Sequence, residues 1–275
     1  MFWRKKKDSA KTKDDPQELV SRKEYKKAID VYRERLTQDS DNVNLRLQLA
    51  DALLYYNQLP EALKEYRKVA SSYGDQGFIV KAIAIYKKML KLNPGWKEIE
   101  SLLENLSERM AIDSEVPETV PPPPVEKPPV ARSVELETKL FKDLSREEFK
   151  QIVTNLTLRH YDEETIVVKE GDAGASLFIV VQGQVRVLTR DPKQREVTLA
   201  TLGEGEFFGE ISLLTGKPRT ATIITSTSSE LLELTRDDFE KIVKKYPHVR
   251  KVVEEFHLQR AHKTVEAIIQ SLQKS

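Results

Sequence analysis

Cysteine is absent from this chain, which removes disulfides, thiolate metal ligands and cysteine nucleophiles together and fits a reducing compartment. Histidine is scarce. The four are His160, His248, His257 and His262, and the last two lie five apart, so they do not share a helical face on which a metal could sit. No apolar run approaches the ~18 residues of a membrane span, and the start, "MFWRKKKDSAKTKDD", has no signal-peptide core. Charge of one sign is lacking too: 45 basic against 44 acidic residues leave a formal net charge of +1, so any basic partner-binding surface is local. No P-loop, G-x-S-x-G, kinase, phosphodiesterase or cyclase signature occurs. No catalytic residue, metal or cofactor is therefore expected; the chain reads as cytoplasmic and not as an enzyme.

What is present suits two globular units. A length of 275 residues with 39% hydrophobic and 32% charged residues can bury two cores. Residues 1–15 read as a disordered basic tail, with Met1-Phe2-Trp3 and Arg4 to Lys7 as an alternative contact for an acidic surface. The segment "VPETVPPPPVEKPPV", residues 116–130, holds seven of the thirteen prolines. Repeated proline fixes φ and removes backbone donors, so 112–133 reads as a polyproline linker. At about 3.1 Å per residue its proline-rich part reaches about 43 Å, enough to hold two domains apart. The expectation is that 134–275 behaves alone as it does in the full chain.

Residues 16–111 read as amphipathic helices. "KKAIDVYRE" and "PEALKEYRK" superimpose at a spacing of thirty-four, Ala28 on Ala62 and Tyr32 on Tyr66. Leu49, Ala50 and Leu53 precede the second copy, and a small residue between large ones lets two helices approach. A third echo, Ala82 and Tyr86 before Pro94, comes only twenty residues later, and "KEIESLLENLSERM" reads as a cap. The region resembles a short, irregular tetratricopeptide array, which implies a surface for a protein partner that the sequence does not name.

After the linker the period changes. Ser145 and Glu148 have capping-box spacing at a helix start. Strand patterns follow at Glu164–Lys169, Leu177–Gln182, Val185–Thr189, Val197–Leu202, Thr220–Thr225 and Leu231–Thr235, parted by "EGDAG", Gly183, "RDPKQ", Gly203 and Gly205. Short strands at this spacing predict a β-roll or jelly-roll-like barrel with flanking helices, so the fold class is multidomain α plus β.

One connection between strands is unusual. "EFFGEISLLTGKPRTATI" combines Gly209, Glu210, Ser212, Arg219 and Ala221. "GEISLL" reads as one helical turn whose first amides face an anion, with Arg219 completing the cradle. An acid and an arginine in one loop suit a ligand with both a phosphate and a free hydroxyl, as in a ribose 3′,5′-cyclic phosphate. With "EGDAGASLFIVVQGQVRV" and "GEFFGEISLLTGKPRTATI", residues 134–275 resemble the cyclic nucleotide-binding domains of catabolite activators, kinase regulatory subunits and gated channels. The resemblance implies that Glu210 binds the ribose hydroxyl and Arg219 the cyclic phosphate. Gly209, Ile211, Ser212 and Ala221 then line the pocket through their backbone.

The same resemblance gives Thr220 two roles, a contact to a syn guanine or a plain strand hydroxyl, with cyclic AMP expected over cyclic GMP. Catabolite activators add a helix-turn-helix after the long final helix, for which no residues remain before Ser275, so direct DNA binding is not expected. From Val249 the apolar stripe Val252, Val253, Phe256 suits packing on the barrel. It then moves to Leu258, Ala261, Val265, Ile268 and Leu272, a seam for a homodimer, a lid over the base, or a helix folded on its own domain. The reading is a cyclic-nucleotide receptor with the repeats as output. The alternative is a repeat scaffold whose barrel docks without responding to nucleotide.

Overall fold

The structure, a computed structural model, describes residues 15–95, 101–103, 105–108, 141, 143–190, 196–255 and 257–258. The basic tail up to residue 14, the proline-rich segment and the heptad positions from Ala261 onward lie outside the described residues.

The N-terminal region contains helices α1 (Pro16–Ser21), α2 (Tyr25–Gln38), α3 (Val43–Tyr55), α4 (Leu59–Asp75) and α5 (Ile79–Leu92). Three junctions are one and the same turn. After α1, α3 and α4 the chain passes through a left-handed residue, Lys23, Asn57 or Gly77, at φ 62°, 62° and 79°. That residue's amide bonds back to Val20, Leu54 or Gly74, and the next amide to Leu19, Leu53 or Tyr73. Carbonyls that a helix end leaves open are thereby satisfied. Each turn precedes a fully buried alanine (Ala28, Ala62, Ala82) and then a buried tyrosine (Tyr32, Tyr66, Tyr86). The shortened third interval has a structural cause: α4 is the second helix of the α3–α4 pair and also the first of the α4–α5 pair. Leu102, Leu103 and Leu106 of the expected cap join the same core.

Helix α6 (Arg146–Asn155) opens the second unit with the expected capping box, Ser145 and Glu148 bonding each other's backbone. Eight strands follow: β1 (Thr157–Tyr161), β2 (Ile166–Val168), β3 (Ser176–Gln182), β4 (Val185–Arg190), β5 (Glu196–Leu202), β6 (Phe207–Phe208), β7 (Thr222–Thr225) and β8 (Ser229–Thr235). They form two antiparallel sheets, in the orders β1-β8-β3-β6 and β2-β7-β4-β5. Between β6 and β7 lies the short helix α7 (Glu210–Thr215), and α8 (Arg236–Lys245) leads to a C-terminal helix that includes residues 248–255 and 257–258. Sequence patterning had not marked β1 or β6, and β7 starts two residues later than the pattern suggests.

Strand β3 is buried on both faces. Phe178 and Val180 point into the roll with Val185, Leu202, Phe208, Ile223 and Leu231, Phe178 stacking on its cross-strand partner Phe208 at 5.2 Å. Leu177, Ile179 and Val181 point outward into a second core that also holds the helices. Period-two alternation therefore vanishes and leaves the continuous run Leu177 to Val181. Each such side chain taken from water contributes on the order of 2–3 kcal/mol.

The second core corrects the expectation of two separated domains. Helix α5 packs on β3 and β1, Lys81 Nζ pairs with Glu204 Oε2 at 2.8 Å, and Lys87 Nζ donates to the carbonyl of Thr154 at 2.7 Å. Thr154 is in the last turn of α6, where carbonyls lack helical partners and a cation is favoured. A linker's length sets how far apart its ends can lie, not how far apart they do; apolar surface on both sides closed the gap.

Burial pushes the Lys87 amine down to about 8, below the ordinary lysine value of about 10.4 that applies in the unfolded chain. Between these values the unfolded chain holds the extra proton, so stability rises with pH across that window. We expect the unfolding free energy of the wild type to gain on that of Lys87→Met as pH is raised from 7.5 to 9.5 in chemical denaturation. A difference that stays constant with pH would show an amine with an ordinary affinity for its proton.

Candidate functional site

Strand β6 runs into Gly209, whose φ of 88° is left-handed and which caps α7. A side chain there is excluded twice over, by the backbone angle and by space: an added Cβ would lie 2.4 Å from Arg219 Nη1 and 2.6 Å from the carbonyl of Ser176. The glycine thus admits the arginine, where the sequence had suggested only that it admits a ligand.

The backbone of Arg219 is clamped by the loop before β3, its amide donating to Asp172 O at 2.8 Å and its carbonyl accepting from the Gly171 amide at 2.9 Å. Ser212 of α7, 2% exposed, donates from Oγ to Pro218 O at 3.2 Å. Gly174 completes the fit, because a Cβ at that position would lie 2.1 Å from Ser212 Cβ. Arg236, at the start of α8, donates from Nη2 to the carbonyls of both Gly174 and Ser212 and ties the two segments together.

The electrostatics single out Arg219. It is 7% exposed; its guanidinium makes one long hydrogen bond, Nη1 to Gly209 O at 3.3 Å. Among the described residues it has no carboxylate at ion-pair distance. Burial first, and then the nearby Arg236, lower its hold on the proton, against smaller opposing pulls from Glu233 and Glu210. A guanidinium has five donors, and keeping one out of water without an anion beside it is costly. An anion placed beside this one would offset that cost.

Glu210, the first residue of α7, is also buried, and its Oε1 lies 3.1 Å from Nδ1 of His257 in the C-terminal helix. Of the remaining residues proposed from sequence, Ile211 and Ala221 are half-buried and Thr220 is exposed in the bend before β7. The structure thus brings Gly209, Glu210, Ser212 and Arg219 together at α7 and the turn before β7. Gly174, Arg236 and His257 were missed. The glycine in "EGDAG" was legible only as a turn, and nothing local marks the other two, which are 24 and 47 residues from their partners. Among the described residues no group of three His, Asp or Glu could hold a metal, and no helix is long and apolar enough to cross a membrane.

Residues 158–246 match the model of the family described as cyclic nucleotide-binding domain. The chain is similar to a cyclic AMP receptor protein of Thermus thermophilus, 36% identical over 110 residues, covering 40% of this chain and 51% of that protein. It is also similar to isozyme 1 of the cGMP-dependent protein kinase of Drosophila melanogaster, 37% identical over 107 residues, covering 38% of this chain and 14% of that protein. A crystal structure of the Thermus thermophilus catabolite activator protein aligns with a TM-score of 0.44 and 31% identity, over 48% of this chain and 63% of that one. The chain thus spans about half or less of the length of these two curated relatives.

The close fit around Gly174 generates a prediction that needs no ligand. Gly174→Ala forces Ser212 aside and is expected to lower the unfolding free energy by about 1–3 kcal/mol. Gly203→Ala, where a Cβ meets nothing within 4 Å, is expected to stay within about 0.5 kcal/mol of wild type. Urea titration of the two variants checks both values, and equal stability would mean that α7 and the 171–174 loop are not tightly packed.

Proposed function

We propose that this protein is a cyclic-nucleotide receptor whose β-roll binds the ligand and whose helical region passes the signal to a protein partner. The observation that carries the reading is Arg219, a buried guanidinium with donors to spare and, among the described residues, no carboxylate paired with it. In this reading its fork takes the cyclic phosphate, Glu210 accepts from the ribose 2′-hydroxyl, and the backbone of Gly209, Ile211, Ser212 and Ala221 lines the pocket. The role is regulatory and not catalytic.

Transmission to the helices has a short route. Ser176 O abuts Gly209, β3 pairs with β6 through Phe178 and Phe208, and the outer face of β3 carries α5. A ligand that moves Gly209 therefore acts on the strand on which the helical region rests. That region serves as a tetratricopeptide-like docking surface; its buried alanines and tyrosines and recurring turn support the assignment. Cyclic AMP is the favoured ligand over cyclic GMP.

Isothermal titration of the full chain with both nucleotides tests the reading. Arg219→Ala is expected to weaken binding by about thirtyfold to a thousandfold, the loss of a charge-assisted contact of on the order of 2–4 kcal/mol. An unchanged dissociation constant would leave the barrel as a docking module indifferent to nucleotide. If Thr220 reads the base, Thr220→Ala should cost cyclic GMP about 1 kcal/mol and cyclic AMP almost nothing; equal effects on the two would remove that role.

A further inference from the structure

Among its described residues the C-terminal helix meets Glu210 through one polar side chain, His257. Its apolar face, Val249, Val252 and Val253, is buried in a pocket shared with Phe141, Leu213 and Phe239. One turn beyond Val253, His257 reaches Glu210 with Nδ1 3.1 Å from Oε1. The pair is sheltered, the carboxylate side chain 11% exposed and the imidazole 32%. The helix begins with a similar pair, His248 Nδ1 to Glu148 Oε2 at 3.4 Å, but that carboxylate caps α6 and is occupied by Ser145. Glu210 has no capping duty; among the described residues the imidazole is its one hydrogen-bond partner.

We propose that His257 is a built-in competitor for Glu210. The imidazole holds the carboxylate that the receptor reading assigns to the ribose hydroxyl, and the hydroxyl gains Glu210 as His257 releases it. The inference rests on that reading and adds a residue that sets affinity. Leu213 of the same α7 packs beneath the C-terminal helix, so α7 holds the helix both by apolar contact and by this polar bond. The polar bond is the one a nucleotide can substitute, because a hydroxyl and an imidazole N–H both donate to a carboxylate. Occupancy of the pocket then competes with the attachment of the helix at residue 257, and each weakens the other.

The experiment compares two ligands on the full-length protein: cyclic AMP and its 2′-deoxy analogue, which lacks the hydroxyl that needs Glu210. His257→Ala is expected to tighten cyclic AMP about ten- to a hundredfold, the size of a hydrogen bond to a charged group, and to leave the 2′-deoxy analogue nearly unchanged. His257→Gln keeps a donor and should lie closer to wild type, which also guards against misfolding of the alanine variant. Unchanged or weaker cyclic AMP binding by His257→Ala overturns the proposal, since carboxylate and imidazole would then serve the ligand together or not at all. Equal tightening of both ligands overturns it as well, by showing a general loosening of the helix. In either case wild-type binding that is lost in Arg219→Ala leaves the receptor reading standing. No binding of cyclic AMP or cyclic GMP by the wild type removes both.

Discussion

The connection from Gly209 to Ala221 is organised around a buried cation. Arg219 is withdrawn from water with no ion-pair partner among the described residues, and its surroundings are arranged to tolerate it. Gly209 gives up a side chain so that Nη1 fits, the Gly171–Gly174 loop holds the arginine backbone at both amide and carbonyl, and Ser212 is wedged between Gly174 and Pro218. Arg236 reinforces the same wall and adds to the positive field, which makes the guanidinium harder to keep charged and an incoming anion more welcome. A buried guanidinium without a paired carboxylate gives up stability that an uncharged side chain could supply.

The second organising element is β3, because both of its faces are covered. The inner face fills the roll and the outer face receives α5, so the strand belongs to two cores at once. Cores packed at crystal-like density pass displacements on to their neighbours and do not absorb them. The partner strand β6 ends at Gly209, so the pocket wall and the seat of the helical region are joined by one pair of hydrogen-bonded strands and one stacked pair of phenylalanines.

Local chemistry was legible in the sequence and long-range contact was not. Ala28, Tyr32, Ala62 and Tyr66 revealed their helices because a small and a large residue at fixed spacing have few other uses, and all four are buried. The capping box at Ser145 and the helical turn after Gly209 were readable for the same reason, since each satisfies its own backbone within a few residues. Strand β1 was missed because "TLRHY" has no buried residue and draws its register entirely from β8, about seventy residues away. Two-residue β6 is too short to show a period. The residues read from the motif are neighbours in sequence; Gly174, Arg236 and His257 touch partners that only the fold brings near.

The sharing of α4 between two helix pairs bears on how the N-terminal region can be divided. An array of independent hairpins has seams at which one unit can be removed, duplicated or exchanged whole. Here Asn57 and Gly77 close the two ends of a single interval, and the helix between them faces α3 on one side and α5 on the other. Any cut at the ends of α4 therefore parts helices that pack on each other, α3 from α4 or α4 from α5. Because α5 also packs on β3 and β1 of the roll, the last pair is tied to the β-roll as well as to its own neighbours.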